Sequence, residues 1–558
     1  MHPEDYAFDL GEYSRTITTK SAASQAWFDR GLLWSYAFNH DEAAFCFEEA
    51  IAADETCAMA YWGLAYCIGP NYNKQWSFFD DEDLQKVVQR GHSAAQKALA
   101  NSAHVSLVEQ ELIKAIQCRY PGQAPTGAGT CEAWNRDFAD AMQLVHDKFP
   151  EDLDVITIYV DAVMNLHPWN VWDLATGNPT KGARTLEMVN LLQHALSLDG
   201  ALEHAGLLHL YIHLVEMSPN PESGLEFADR LRGLVPDAGH LHHMPTHLDV
   251  LCGQYEQAIR WNSAAIKADE KYLAKAGPIN FYSLYRAHNY HFRVYAAMFS
   301  GNFKVAIETA AALEASLPRD LLLVKSPPMA DWLEGFLSIR AHVLVRFGRW
   351  EDILELPIPE DTELRCMTVA VNHYAKGVAF SALGRIPEAE EQRRFFLDAQ
   401  ARVPESRTLF NNTCADILKV AAAMLDGELA YRKGDVEEAF EHLRLATKLE
   451  DGLPYDEPWG WMQPTRHAYG ALSLEQDRVE EALEAYKADL GMNGTLSRAL
   501  RHPGNVWALH GVHECLVRLG REEEAKELRP ALEKAIGAAD VEIKASCYCR
   551  RGLEGVDS

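Results

Sequence analysis

Nine of the chain's 23 histidines fall between His204 and His291, spaced as metal ligands are. His209 and His213 stand four apart, with Glu216 three residues on; His240, His243 and His247 stand three and four apart, with Asp249 close behind; His288 and His291 stand three apart. Imidazoles on successive turns of a helix project from one face and reach a common ion, as in His-x-x-x-His sites. A carboxylate such as Glu216 or Asp249 completes such a shell or holds the second ring nitrogen of a ligand in the required tautomer. Imidazoles crowded into one low-dielectric site lower one another's proton affinity, which leaves neutral rings suited to a transition metal. Ligand type alone leaves Fe, Cu, Zn and Mn open.

The elements that must carry these residues are helices. Apolar residues recur at three and four throughout, and alternating Val/Ile/Thr runs bounded by turn pairs are nearly absent. Against the 34-residue helix-turn-helix template of the tetratricopeptide repeat (TPR), Trp27, Gly31, Trp34, Ala43, Phe47 and Ala50 fall on positions 4, 8, 11, 20, 24 and 27. The same frame takes Gly427, Gly434, Ala439 and Ala446, and again Gly377, Gly384 and Ala389, with further units around Gly253, Gly301, Gly348 and Gly520. Small residues at positions 8 and 20 let two helices cross closely, and glycine at 15 allows the turn between them. The expected fold is therefore an all-α, TPR-like helical-hairpin solenoid curved around a central channel.

In that frame the seven histidines share three template positions: 5 and 9 for His209 and His213, 2, 5 and 9 for His240, His243 and His247, and 2 and 5 for His288 and His291. At about 100° per residue these positions point away from the core-facing direction, toward the inner surface of the superhelix. His373 and His242 take core position 4, His204 precedes its helix, and His40 sits in a hairpin turn, so none of these is assigned chemistry. Loops at 121–129, 167–184, 275–285, 316–330 and 452–465 interrupt the array and suggest a lidded pocket. The last leads into Arg466 and His467, and its aromatics give a channel wall. Tyr455, Glu457 and Trp461 are expected to bind substrate there, while Glu216, Arg466 and His467 are the expected catalytic residues.

The bulk numbers set limits. A chain of 558 residues exceeds one ordinary core, and its 48% hydrophobic and 24% charged residues are those of a folded protein. The expected organisation is one continuous superhelix over 1–558, with N-terminal repeats at 1–120, metal-site repeats at 185–315 and C-terminal repeats at 330–540. A net charge of -29 repels phosphate backbones, so no nucleic-acid partner is expected. The acidic start and the lack of a long apolar run lead to the expectation of a cytoplasmic protein without a membrane partner; a homo-oligomer is left open. Cys46, Cys57 and Cys67 lie in helical patterns as reduced core residues do, and Cys547-Tyr548-Cys549 is expected to be a frayed end.

The chain resembles a large, little-characterised family of bacterial and fungal TPR proteins. The residues that carry the resemblance are Tyr36 to Ala43, Cys57 to Gly63, Gly69-Pro70-Asn71-Tyr72-Asn73, His209 to His213 with Ser218 to Pro221, His240 to His247 with Met244-Pro245-Thr246, and His288 to Phe292. It implies the repeat fold and the histidine motifs, and no particular reaction. From the residues, the leading expectation is a metalloenzyme of oxygenase or oxidoreductase type, acting on a small organic molecule in the channel. Its Fe, Cu or Zn ion is held mainly by His209, His213, His243 and His247. A zinc hydrolase with Glu216 as general base, a peptide-binding adaptor and a structural zinc are the alternatives.

Overall fold

The computed structural model describes residues 2–125 and 128–551, so Thr126 and Gly127 of the expected 121–129 loop lie outside it. The fold is the expected all-α, TPR-like one. Helices run from Ala22–Tyr36 to Glu522–Ala538, and the only sheet among the described residues is a hairpin pairing Thr408–Leu409 with Asn412–Thr413.

The first hairpin shows why these residues fold as they do. Ser21 caps helix Ala22–Tyr36 and Asn39 caps helix His40–Ala53, each side chain accepting a hydrogen bond from the backbone three residues on. The two helices pack with the Phe47 ring over Gly31, where a Cβ would stand 2.8 Å from the ring. The same pairing recurs at Cys366–Ala382 with Ile386–Gln400, Cys414–Lys433 with Val436–Asp451, Thr465–Glu475 with Val479–Asp489, and Val506–Arg518 with Glu522–Ala538. The turn glycines Gly384 and Gly434 have φ of +76° and +95°, a region that side chains with a Cβ rarely adopt.

The chain divides into two compact units. One comprises residues up to Leu248 plus Ala264–Tyr282; the other comprises Asp249–Ser263 and the chain from Ser283 onward. The histidine-rich stretch is thus shared. His204 to His247 belong to the first unit, and His288 and His291 to the second. No helix among the described residues is long and apolar enough to cross a membrane.

The cysteine pair near the end departs from expectation. It is docked rather than frayed, because the segment finds partners within the second unit: Ser546 Oγ donates to the carbonyl of the buried His467 (3.0 Å), and Arg550 pairs with the partly buried Glu514 (2.7 Å). Cys547 and Cys549 are disulfide-bonded. Cys46, Cys57 and Cys67 are free and buried, Cys46 and Cys67 within helices and Cys57 at the start of helix Ala58–Cys67.

Candidate metal centre

Helix Ala205–Glu216 is buried along its whole length, so both of its histidines are held in the interior of the first unit. His204 caps it: Nδ1 accepts from the Leu207 amide (3.2 Å), and Nε2 meets Asp154 Oδ1 (3.1 Å). Helix Gly239–His243 brings the next set. Gly239 is needed there because a Cβ would stand 2.8 Å from the Ala265 carbonyl, and the His240 amide donates to the hydroxyl of Tyr282 (3.3 Å).

His209, His213 and His240 converge, each offering a ring nitrogen within 4.8 Å of the others. Nitrogens bound about 2.1 Å from a common ion stand roughly 3–4 Å apart, so small rotations bring the three into a shell. Their tautomers follow from their partners. A carbonyl oxygen can only accept, so His209 Nδ1, 2.7 Å from the Tyr36 oxygen, carries its proton. His213 Nδ1 likewise donates to Glu216 Oε1 at 2.7 Å. Both Nε2 atoms are therefore lone pairs, and neither has a hydrogen-bond partner although both are buried. Burial, aided by His213, drives the His209 proton affinity well below the ordinary range, and burial lowers that of His213 against the pull of Glu216.

Glu216 reaches two rings at once. Its other oxygen, Oε2, accepts from His247 Nδ1 at 2.5 Å, and His247 Nε2 lies 2.8 Å from Nε2 of His243. Burial opposes charge on this carboxyl, yet His247 and His213 beside it hold it down to about 2. With each oxygen engaged by an imidazole, Glu216 is placed to orient rings rather than to take a proton from a water.

The cluster is roofed by aromatics that the histidine spacing does not reveal. The Phe38 ring lies 4.5 Å from that of His209 and 5.5 Å from that of His240, on a backbone with φ of +56°. Tyr72 and Trp169 stand 4.9 and 5.5 Å from the His213 ring. Trp172 in the same loop donates to the Leu214 carbonyl at 2.7 Å, so the 167–184 insertion is fastened over the histidine helix. Phe38 also borders a cavity of about 260 Å³ shared with His40, Asn71, Lys74, Phe281 and Tyr282. Phe38 takes template position 15 of the first repeat, where other repeats place the turn glycine, and both Phe38 and Tyr72 lie in segments that carry the family resemblance, but nothing in the sequence aims either at the histidines.

The other expected site residues lie in the second unit. His288 packs between Phe292 and Phe410, and His291 stands against Phe336, its proton affinity lowered to about 3 by burial. Asp249 is fully buried. Tyr455 donates to Glu457 Oε1 at 2.5 Å, and Trp461 is buried between His342 and Tyr374. Arg466 is engaged by both oxygens of Asp451 at 2.6 Å. His467 lies between Arg346 Nη1 (2.9 Å) and Asp489 Oδ2 (2.9 Å).

No family model matches the sequence, and no curated protein matches it. Among solved structures, the human IFIT1 dimer with m7Gppp-AAAA is 12% identical with a TM-score of 0.32, covering 93% of this chain and 91% of that one. Yeast Tom70 is 12% identical with a TM-score of 0.30, covering 92% and 99%. The Cut9-Hcn1 hetero-tetramer gives 13% and 0.28, covering 94% of each chain. Likenesses this distant assign no ligand or activity.

Proposed function

We propose that this TPR-like protein is a transition-metal protein whose ion is held by His209, His213 and His240, and that the centre is catalytic. The observation that carries the proposal is the pair of buried Nε2 lone pairs on His209 and His213, each fixed by an acceptor on Nδ1 and each without a hydrogen-bond partner. Leaving two such acceptors unsatisfied in a core is costly, and a bound cation removes the cost. Three imidazoles leave at least one coordination position for a small molecule or water, which separates a catalytic shell from a closed structural one.

An ion in that place acts as a Lewis acid or as a redox centre. An all-nitrogen shell backed by a carboxylate suits Fe or Cu, and with them oxygen chemistry on a small organic substrate. Hydrolysis at zinc is the second reading, and the engagement of both Glu216 oxygens counts against the general base it needs. What the chain's own residues do is clear in kind: the Tyr36 carbonyl and Glu216 fix ring tautomers, while Phe38, Tyr72 and Trp169 exclude bulk water. We also propose membership of the TPR family that the histidine motifs resemble.

The test is metal analysis of untagged protein, followed by its optical and spin-resonance spectra. About one equivalent or more of Fe or Cu, lost in His209→Ala/His213→Ala, supports the reading. Protein that neither carries nor takes up a transition metal removes it.

A further inference from the structure

The histidines of the first unit form two groups, not one. His209, His213 and His240 make the first, with their ring nitrogens within 4.8 Å of each other. His243 and His247 make the second, with Nε2 atoms 2.8 Å apart, four residues apart in sequence and facing each other across the Met244-Pro245 break between two short helices. The groups adjoin: ring centroids are 6.1 Å apart for His213 and His247, and 5.8 Å apart for His240 and His243.

Glu216 joins the two groups. Oε1 accepts from Nδ1 of His213 in the first, and Oε2 accepts from Nδ1 of His247 in the second. One ionised carboxylate thereby turns the Nε2 lone pair of a ring in each group outward at the same time. The Nε2 atoms of His243 and His247 are buried and close enough for the two imidazoles to share one ion.

We propose a second transition-metal site on His243 and His247, so that the first unit holds a pair of ions with Glu216 oriented between their ligand sets. The ions are borderline divalent metals of the kind imidazole binds, Zn, Cu, Fe or Co, and not Ca or Mg, since the donors of both groups are imidazole nitrogens and hard cations take oxygen. Two histidines supply part of a shell, and the remaining positions go to solvent, substrate or other side chains. Two ions held by adjoining ligand sets would engage one small substrate from two sides, which a single ion cannot do. The proposal rests on the metal reading above.

Full-length protein stripped with chelator and titrated with Co²⁺ or Zn²⁺ tests both readings separately. Wild type is expected to bind about two equivalents. His243→Gln/His247→Gln is expected to bind about one, and His209→Gln/His213→Gln about one, each variant keeping the wild-type circular dichroism. A wild-type stoichiometry of one, or a His243→Gln/His247→Gln protein that still binds as many ions as wild type, overturns the second site and leaves the first standing. No binding at all by wild type overturns both. Cu²⁺-loaded wild type supplies a measurement independent of folding in the variants. Dipolar coupling between two copper ions in the spin-resonance spectrum supports the pair, and a spectrum of isolated copper at full loading overturns it.

Discussion

Two buried networks in this molecule are built from the same parts and satisfied differently. In the first unit, Glu216 engages His213 and His247, and the outward nitrogens of His209 and His213 end without hydrogen-bond partners. In the second, Asp489 engages His467 through Oδ2 (2.9 Å) and His502 through Oδ1 (2.7 Å). There the far nitrogens are used. Arg346 donates to His467 Nδ1 at 2.9 Å, and the Tyr295 hydroxyl stands 3.0 Å from His502 Nε2. Asn505 donates to Asp489 as well, at 2.9 Å. Burial holds His467 below its ordinary range, and the two imidazoles pull Asp489 down against its own desolvation. The second network is a closed fastening for the end of the repeat array. A carboxylate between two histidines is therefore by itself no sign of a metal.

Substitutions sharpen this contrast, the strongest first. His209→Ala/His213→Ala should abolish metal at the first group, while His467→Ala/His502→Ala leaves metal content unchanged in the same elemental analysis; a parallel loss from both would erase the distinction. Asp489→Asn should cost about 3 kcal/mol in urea unfolding, because it removes the charge that organises two buried rings and an amide. Glu216→Gln should instead show mainly in metal affinity, weakened roughly 10- to 100-fold in competition with a chelator.

The smallest effect concerns pH. Burial raises the Glu450 carboxyl to about 7, against Arg466 and the hydrogen bonds from Thr465. A carboxyl raised on folding stabilises most when both states are protonated, and that contribution is lost as pH rises from the unfolded value near 4.5 through about 7. Glu450→Gln should flatten the fall in melting temperature between pH 5 and about pH 8, measured by calorimetry with wild type alongside. An unchanged slope would place the titration elsewhere.

The hairpin array was legible because its determinants are local. Gly31 beneath Phe47, and Gly384 and Gly434 with φ of +76° and +95°, do what their template positions require. The repeat frame put seven histidines on one face, with His209, His213, His243 and His247 as the main ligands; it did not single out the grouping of His209 and His213 with His240, which the short helix Gly239–His243 decides. The aromatic roof was not legible, because Phe38 takes the place of a turn glycine at template position 15, and Tyr72 and Trp169 come from a loop and an insertion to which no period applies. The docked tail was missed because Ser546 and Arg550 are fastened by contacts far along the chain, to His467 and Glu514.

Sequence alone determined what depends on neighbours a few residues away: helices from the recurrence of apolar residues, hairpin turns from glycine, and imidazole pairs from spacings of three and four. Tertiary structure decided which nitrogen of each ring carries a proton, since that is set by an acceptor brought from elsewhere, such as the Tyr36 carbonyl for His209 or Glu216 for His247. It also separated His467, hydrogen-bonded on both sides, from His209 and His213, whose Nε2 atoms have no hydrogen-bond partner. An imidazole has the same composition in both settings, and only the tertiary structure sets which atom faces its second nitrogen.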